Sequence, residues 1–138
     1  MTRTTAQEFD AIFSLLSDTR RRFLLYQLLE TEYAAVDGLA RRIAAVEQNS
    51  VVGVVDEGTV DEVGLSLVHS HLPRLADYDI LEFDTRSGDV VTTDAFESLR
   101  PFLERSYRME REGEPPSTSR LNVLYSDPPK ERFLLDES

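Results

Sequence analysis

The sequence predicts a mainly α domain with one small β-hairpin, an α+β fold, and three observations carry that prediction. Four stretches between residues 5 and 77 repeat their apolar side chains at helical spacing. A pair of period-two segments brackets a glycine turn within residues 80–92, and a fifth helical stretch follows at once. A length of 138 residues, with 41% hydrophobic and 9% aromatic side chains, fills one modest core and excludes wholesale disorder. No apolar run reaches the ~18–20 residues of a membrane span and no secretion signal is evident, so a cytoplasmic location is expected. The absence of cysteine removes disulfides, thiolate zinc sites and cysteine nucleophiles together.

In chain order, Thr5-Ala6-Gln7-Glu8 has capping-box spacing, in which hydroxyl and carboxylate satisfy orphan amides reciprocally. Phe9, Ile12, Phe13 and Leu16 follow on one face. Ser17-Asp18-Thr19 groups three cap formers that end the first helix and open the second. There Phe23, Leu24, Leu25, Leu28 and Leu29 form an apolar face broad enough for the centre of a core. A third helix is expected over residues 36–47, with Val36, Leu39, Ala40, Ile43 and Ala44 inward and Arg41 and Arg42 outward. Residues 49–58 read as a loop, with a short strand over Val51-Val52-Gly53-Val54-Val55 as the alternative. Thr59-Val60-Asp61-Glu62 repeats the capping-box spacing and opens a fourth helix over residues 59–77. Its inward stripe is expected at Leu65, Val68, Leu72 and Leu75. At about 100° per residue, Ser66, His69, Ser70, Pro73 and Arg74 fall on the opposing side.

Ile80-Leu81-Glu82-Phe83-Asp84 and Asp89-Val90-Val91-Thr92 alternate with period two, and Gly88 supplies the positive φ that a tight turn requires. Asp94 with Glu97 caps a fifth helix to residue 112, carrying Phe96, Leu99, Phe102, Leu103, Tyr107 and Met109, which Pro101 kinks or restarts. The organisation expected is a domain over residues 5–93, a C-terminal dimerisation helix over 94–112, and a polar, largely disordered tail over 113–138.

Helices one to four, then a hairpin, then a further helix, is the order of a winged helix-turn-helix. In that architecture the fourth helix enters a major groove and residues 80–92 form the wing. Leu16-Ser17-Asp18-Thr19-Arg20-Arg21-Arg22-Phe23-Leu24-Leu25 resembles the opening signature of ArsR-type winged-helix regulators. Leu39-Ala40, Val46-Glu47-Gln48-Asn49, His69-Ser70-His71-Leu72-Pro73-Arg74-Leu75 and Ile80-Leu81-Glu82-Phe83-Asp84 together resemble a winged-helix domain of unknown function common in haloarchaea (DUF7344). That resemblance spans residues 15–93 and implies DNA binding by fold, with no target or ligand assigned.

The charge balance agrees with a halophilic origin. Asp and Glu number 26 against 15 Lys and Arg, for a net charge of −11, and Lys130 is the sole lysine. At ~1 M salt the Debye length is ~3 Å, so acidity serves solubility and repels DNA little. On the expected reading face, Ser66 and Ser70 suit base edges, His69 a phosphate or a guanine edge, and Arg74 a guanine or a phosphate. Arg20, Arg21 and Arg22 open the second helix, where they either meet phosphate or form ion pairs, with at least one structural pair favoured. Arg41 and Arg42 are either backbone clamps or ordinary surface. Arg86, at the wing tip, suits a minor groove.

The stripe Phe96, Leu99, Leu103 and Tyr107 is too apolar for water. It either folds back on its own domain or pairs two subunits, and a homodimer is the favoured outcome. His69 and His71, at i, i+2, point to different sides of a helix, and His71 is expected at the core edge bonded to backbone. No metal and no cofactor is therefore expected. There is no phosphate loop, nucleophile elbow or His-x-x-x-His, so the chain does not read as an enzyme. The leading function is a DNA-binding transcriptional regulator acting on double-stranded DNA. The alternative is a winged-helix adaptor that has lost DNA binding and takes a protein partner through its fifth helix and tail.

Overall fold

A computed structural model describes residues 6–112. Its elements are α1 (Ala6–Leu16), α2 (Thr19–Glu30), β1 (Tyr33–Ala35), α3 (Val36–Gln48), α4 (Glu57–Ser66), α5 (Leu72–Asp77), β2 (Leu81–Asp84), β3 (Asp89–Thr92) and α6 (Phe96–Glu112). One 3₁₀ turn covers Val52–Val54, and one π-helical turn, Leu67–His71, joins α4 to α5. No described helix is long and apolar enough to cross a membrane. The cap expected at Thr5 and the tail beyond residue 112 lie outside the described residues.

The second helix starts where the cap formers put it: the Asp18 carboxylate accepts from the Arg21 amide at 3.0 Å. α3 closes on Asn49, whose left-handed φ of 60° lets residues 49 and 50 donate back to Val46 and Ala45. The fourth helix begins two residues before the expected position. Asp56 is its cap, accepting from the amide of Thr59 at 3.0 Å and from its hydroxyl at 3.1 Å, so Thr59 is the capped partner. Residues 52–54 form neither open loop nor strand, but the 3₁₀ turn.

The hairpin is the expected one, and it gains a partner. β1 pairs antiparallel with β3, Tyr33 opposite Val91 and Ala35 opposite Asp89, while β2 pairs with β3 from Leu81–Thr92 to Asp84–Asp89. The sheet order is thus β1-β3-β2. Three residues between two helices are too few to display a period, which is why β1 is silent in the sequence. Gly88 has a φ of 81°; its amide donates to the Asp84 carbonyl at 2.8 Å, and its own carbonyl accepts from the Val36 amide at 2.9 Å.

One core unites all these elements. Leu15, Leu24, Leu25, Leu28, Ile43, Leu67, Leu72, Leu75, Leu81 and Val90 are buried together with Phe96, Leu99 and Leu103 of α6. The fold therefore does not divide at residues 93–94, and α6 packs on α2 of its own chain. Phe96, Leu99 and Leu103 are 0–1% exposed. Exposing each costs ~1.5–3 kcal/mol, so they cannot be a dimerisation stripe. Tyr107 joins them against Tyr26, ring centroids 5.1 Å apart. α6 also runs unbroken through Pro101, whose missing N–H falls on an exposed side of the helix. Its entry is organised by Thr93, whose hydroxyl accepts from the Ala95 amide and donates to the Asp79 carbonyl.

Candidate nucleic-acid interface

The segment from α4 through α5 decides which side chains face outward, and the π-turn sets the answer. From α4 into the start of the π-turn the inward line is Val60, Val63 and Leu67, all buried. An uninterrupted α-helix would carry that line on to Ser70 and Arg74 at i+3 and i+7 from Leu67. The π-turn inserts one residue per its single turn, so Leu72 and Leu75 arrive at the core while Ser70 and Arg74 swing into solvent. The expected inward stripe is corrected accordingly. Leu72 and Leu75 belong to it, Val68 is half-buried, and Leu65 is 61% exposed. A sequence window of constant period has no means of seeing one extra residue.

On the outward side, His69, Ser70 and Arg74 are exposed and Pro73 is half-buried. Ser66 departs from the set. Its Oγ is covered and has no hydrogen-bond partner among the described residues, so it is not presented outward.

A buried cluster pins the π-turn. The Arg21 guanidinium donates to the carbonyls of Leu15 at 2.8 Å and Ser14 at 3.0 Å. Its Nη1 lies 3.2 Å from His71 Nδ1. Arginine only donates, so Nδ1 accepts and the ring proton sits on Nε2, which lies 3.9 Å from the Asp18 carboxylate. His71 is thus bonded to a side chain, in place of the backbone partner expected from the sequence. Burial, reinforced by the charges of Arg21, Arg20 and Arg74 and opposed by Asp18, holds its pKa below the ordinary value of 6.5. No cluster of three or more metal-ligating side chains occurs among the described residues.

The other arginines divide sharply. Arg20 clasps Glu47 with two contacts of 2.7 Å and reaches Glu62 at 3.1 Å, tying the start of α2 to α3 and α4. Those contacts raise its pKa, led by the Glu47 hydrogen bond. Arg22 pairs with Glu110 of α6 and donates to the Leu16 carbonyl. Arg41 holds Glu57 at 2.7 Å and Asp37 at 3.3 Å, while Arg42 reaches the Gln27 side chain at 3.3 Å. Of the cations singled out from sequence, then, Arg20 and Arg41 are committed to carboxylates. Arg74 and Arg86 have no ion-pair partner among the described residues. The Arg86 amide is fixed by the Asp84 carboxylate at 2.9 Å, which leaves the side chain projecting from an ordered turn.

A further exposed surface, missed in the sequence, lies on α1 and α6. Phe9 and Phe13 of α1 stack at 6.0 Å, and both meet Phe102 of α6 edge-on at 5.9 and 6.1 Å. Phe13 remains 57% exposed. Its helical spacing gave it the signature of a core residue; only the packing of α6 alongside α1 and α2 reveals that α1 has one face to spare.

A family model described as Domain of unknown function (DUF7344) matches residues 13–91, from α1 into β3. No curated protein and no solved structure matches the chain.

Proposed function

The chain belongs to the DUF7344 family, and we propose that it is a DNA-binding transcriptional regulator of a halophilic archaeon with a winged helix-turn-helix architecture. In this reading the α4–α5 segment enters a major groove and the β2–β3 hairpin is the wing, its tip at residues 85–87. The carrying observation is that His69, Ser70 and Arg74 face solvent without intramolecular partners among the described residues, on a segment that packs against β2. Arg86 lies equally free at the hairpin turn. Four such side chains supply too few phosphate contacts for ordinary counterion-driven affinity. An acidic, lysine-poor chain working in molar salt instead relies on hydrogen bonds and shape.

The test is retention of duplex DNA from a random-sequence library in molar KCl. Sequence-dependent retention, lost when His69 and Arg74 are both changed to Ala, supports the reading. Equal retention by that double variant means that another face binds the duplex, and no retention by the native chain at any salt rejects the reading.

The reading extends to a homodimer. Support for a second copy comes from the Phe9–Phe13–Phe102 cluster, whose rings project from α1 and α6. Pairing there sets two α4–α5 segments on half-sites related by a two-fold axis. Phe13→Asp should convert a dimer to a monomer by light scattering, with its thermal midpoint nearly unchanged. A native chain that is already monomeric at all concentrations rejects the pairing. The same rings favour one rival, an adaptor that binds a protein and no DNA, which the library experiment separates directly.

A further inference from the structure

The outermost line of the α4–α5 segment is not wholly polar. At about 100° per residue, Leu65 stands about 170° from the mean direction of the buried Val60, Val63 and Leu67. His69 follows one turn later, and the two form an exposed ridge on the side away from the core, with the half-buried Pro73 beyond them. Ser70 and Arg74 flank it on one side, and Asp61 and Glu62 precede it. A single exposed leucine is ordinary on a protein surface. This one tops the face that would meet a groove, between acidic residues that solvate well and a histidine that hydrogen-bonds.

We propose that Leu65 reads the 5-methyl group of a thymine in duplex DNA, which makes it the specificity-determining apolar contact of the α4–α5 face. The inference rests on the DNA-binding reading above and adds the identity of one base. Thymine alone among the four bases carries a methyl group on the major-groove edge, and apolar side chains recognise it by contact. Such a contact involves no charge, so molar salt does not screen it, unlike every phosphate contact available to a chain of net charge −11. Its flanks also fit a base better than a protein. One leucine bordered by Asp61, Glu62 and His69 offers far less than the contiguous apolar area of a protein interface. Exposure matters for the assignment as well: at 61% exposed, Leu65 is free to contribute to binding without being needed for folding.

The experiment uses the full chain and a duplex selected from a random-sequence library in molar KCl. Each thymine of that duplex is then replaced in turn by deoxyuridine, which differs only in lacking the methyl group. At one position the native chain should bind the deoxyuridine duplex about fourfold more weakly, the value of one buried methyl group. Leu65→Ala should bind the thymine duplex more weakly by a similar factor and show no preference between thymine and deoxyuridine there. Its thermal midpoint should match that of the native chain. If no replacement matters, or if Leu65→Ala keeps the preference, the assignment of Leu65 is overturned while DNA binding stands. If the native chain retains no duplex, the DNA-binding reading itself has failed, and the assignment with it.

Discussion

The arginines that open α2 and those of the α5 and hairpin surface are the same residue in opposite circumstances. Arg20, Arg21 and Arg22 are consecutive, and the fold engages every one: Arg20 with Glu47 and Glu62, Arg21 with two carbonyls and His71, Arg22 with Glu110 and the Leu16 carbonyl. Arg74 and Arg86 stand alone in sequence and remain unpaired among the described residues. A run of cations is thus the poorer guide to unpaired positive charge on the surface. Near a helix N-terminus the dipole opposes positive charge, so arginines persist there only where carboxylates and carbonyls hold them. A lone arginine on an exposed turn has no such constraint.

That contrast can be broken most forcefully at Arg21. Arg21→Ala removes the donor for two carbonyls and for the His71 ring, and should cost about 3 kcal/mol of stability by denaturant unfolding in concentrated KCl. It should also disturb the π-turn, so near-ultraviolet signals and DNA retention should fall together. A variant as stable as the native chain would show that the cluster is not structural. At the free end of the comparison, Arg86→Ala should weaken retention of a selected duplex about tenfold, in the range of one lost guanidinium contact, and leave the unfolding midpoint where it was. Arg20→Ala should do the reverse. About 1 kcal/mol of stability should be lost with its part-exposed carboxylate partners, while DNA affinity changes little. Reversed outcomes for Arg20 and Arg86 would invert the division drawn between them.

The smallest effect is one of pH. Because the folded chain holds His71 below its ordinary value of 6.5, the unfolded chain takes up a proton first as the solution is acidified. The contribution to stability is complete above 6.5 and is lost progressively below it. His71→Asn keeps an acceptor facing Arg21 and cannot titrate. Between about pH 7 and about pH 5 its thermal midpoint should therefore fall less steeply than that of the native chain. Parallel curves would assign the acid sensitivity to other groups.

Much of the architecture is legible in the residues. The helix start at Asp18, the inward faces of α2 and α3, and the hairpin with its glycine follow from local rules that act within a turn or two. What the sequence conceals is relational. Leu65 and Leu72 look equivalent by spacing, yet Leu65 stands opposite the inward line of α4, and the residue inserted after it returns Leu72 to the core. Phe13 and Leu103 are both apolar positions on amphipathic helices. Whether each is covered depends on how α1 and α6 lie against α2, which no local pattern encodes. For the candidate site the same holds: the exposure of Ser70 and Arg74 depends on the π-turn, which no constant period anticipates, and Ser66, just before it, is covered.

The bond from the Val36 amide to the Gly88 carbonyl fastens the sheet to the first turn of α3 near the hairpin's own turn. A flap hinged at its root would be free to sweep across a range of groove widths; this one is moored close to its outer end. In the DNA-binding reading, residues 85–87 are the part of the hairpin left to yield, so fitting a wider or narrower duplex would fall to tilting of the entire body. The same reading then expects narrow tolerance for the spacing between the base steps met by α4–α5 and those met by the hairpin.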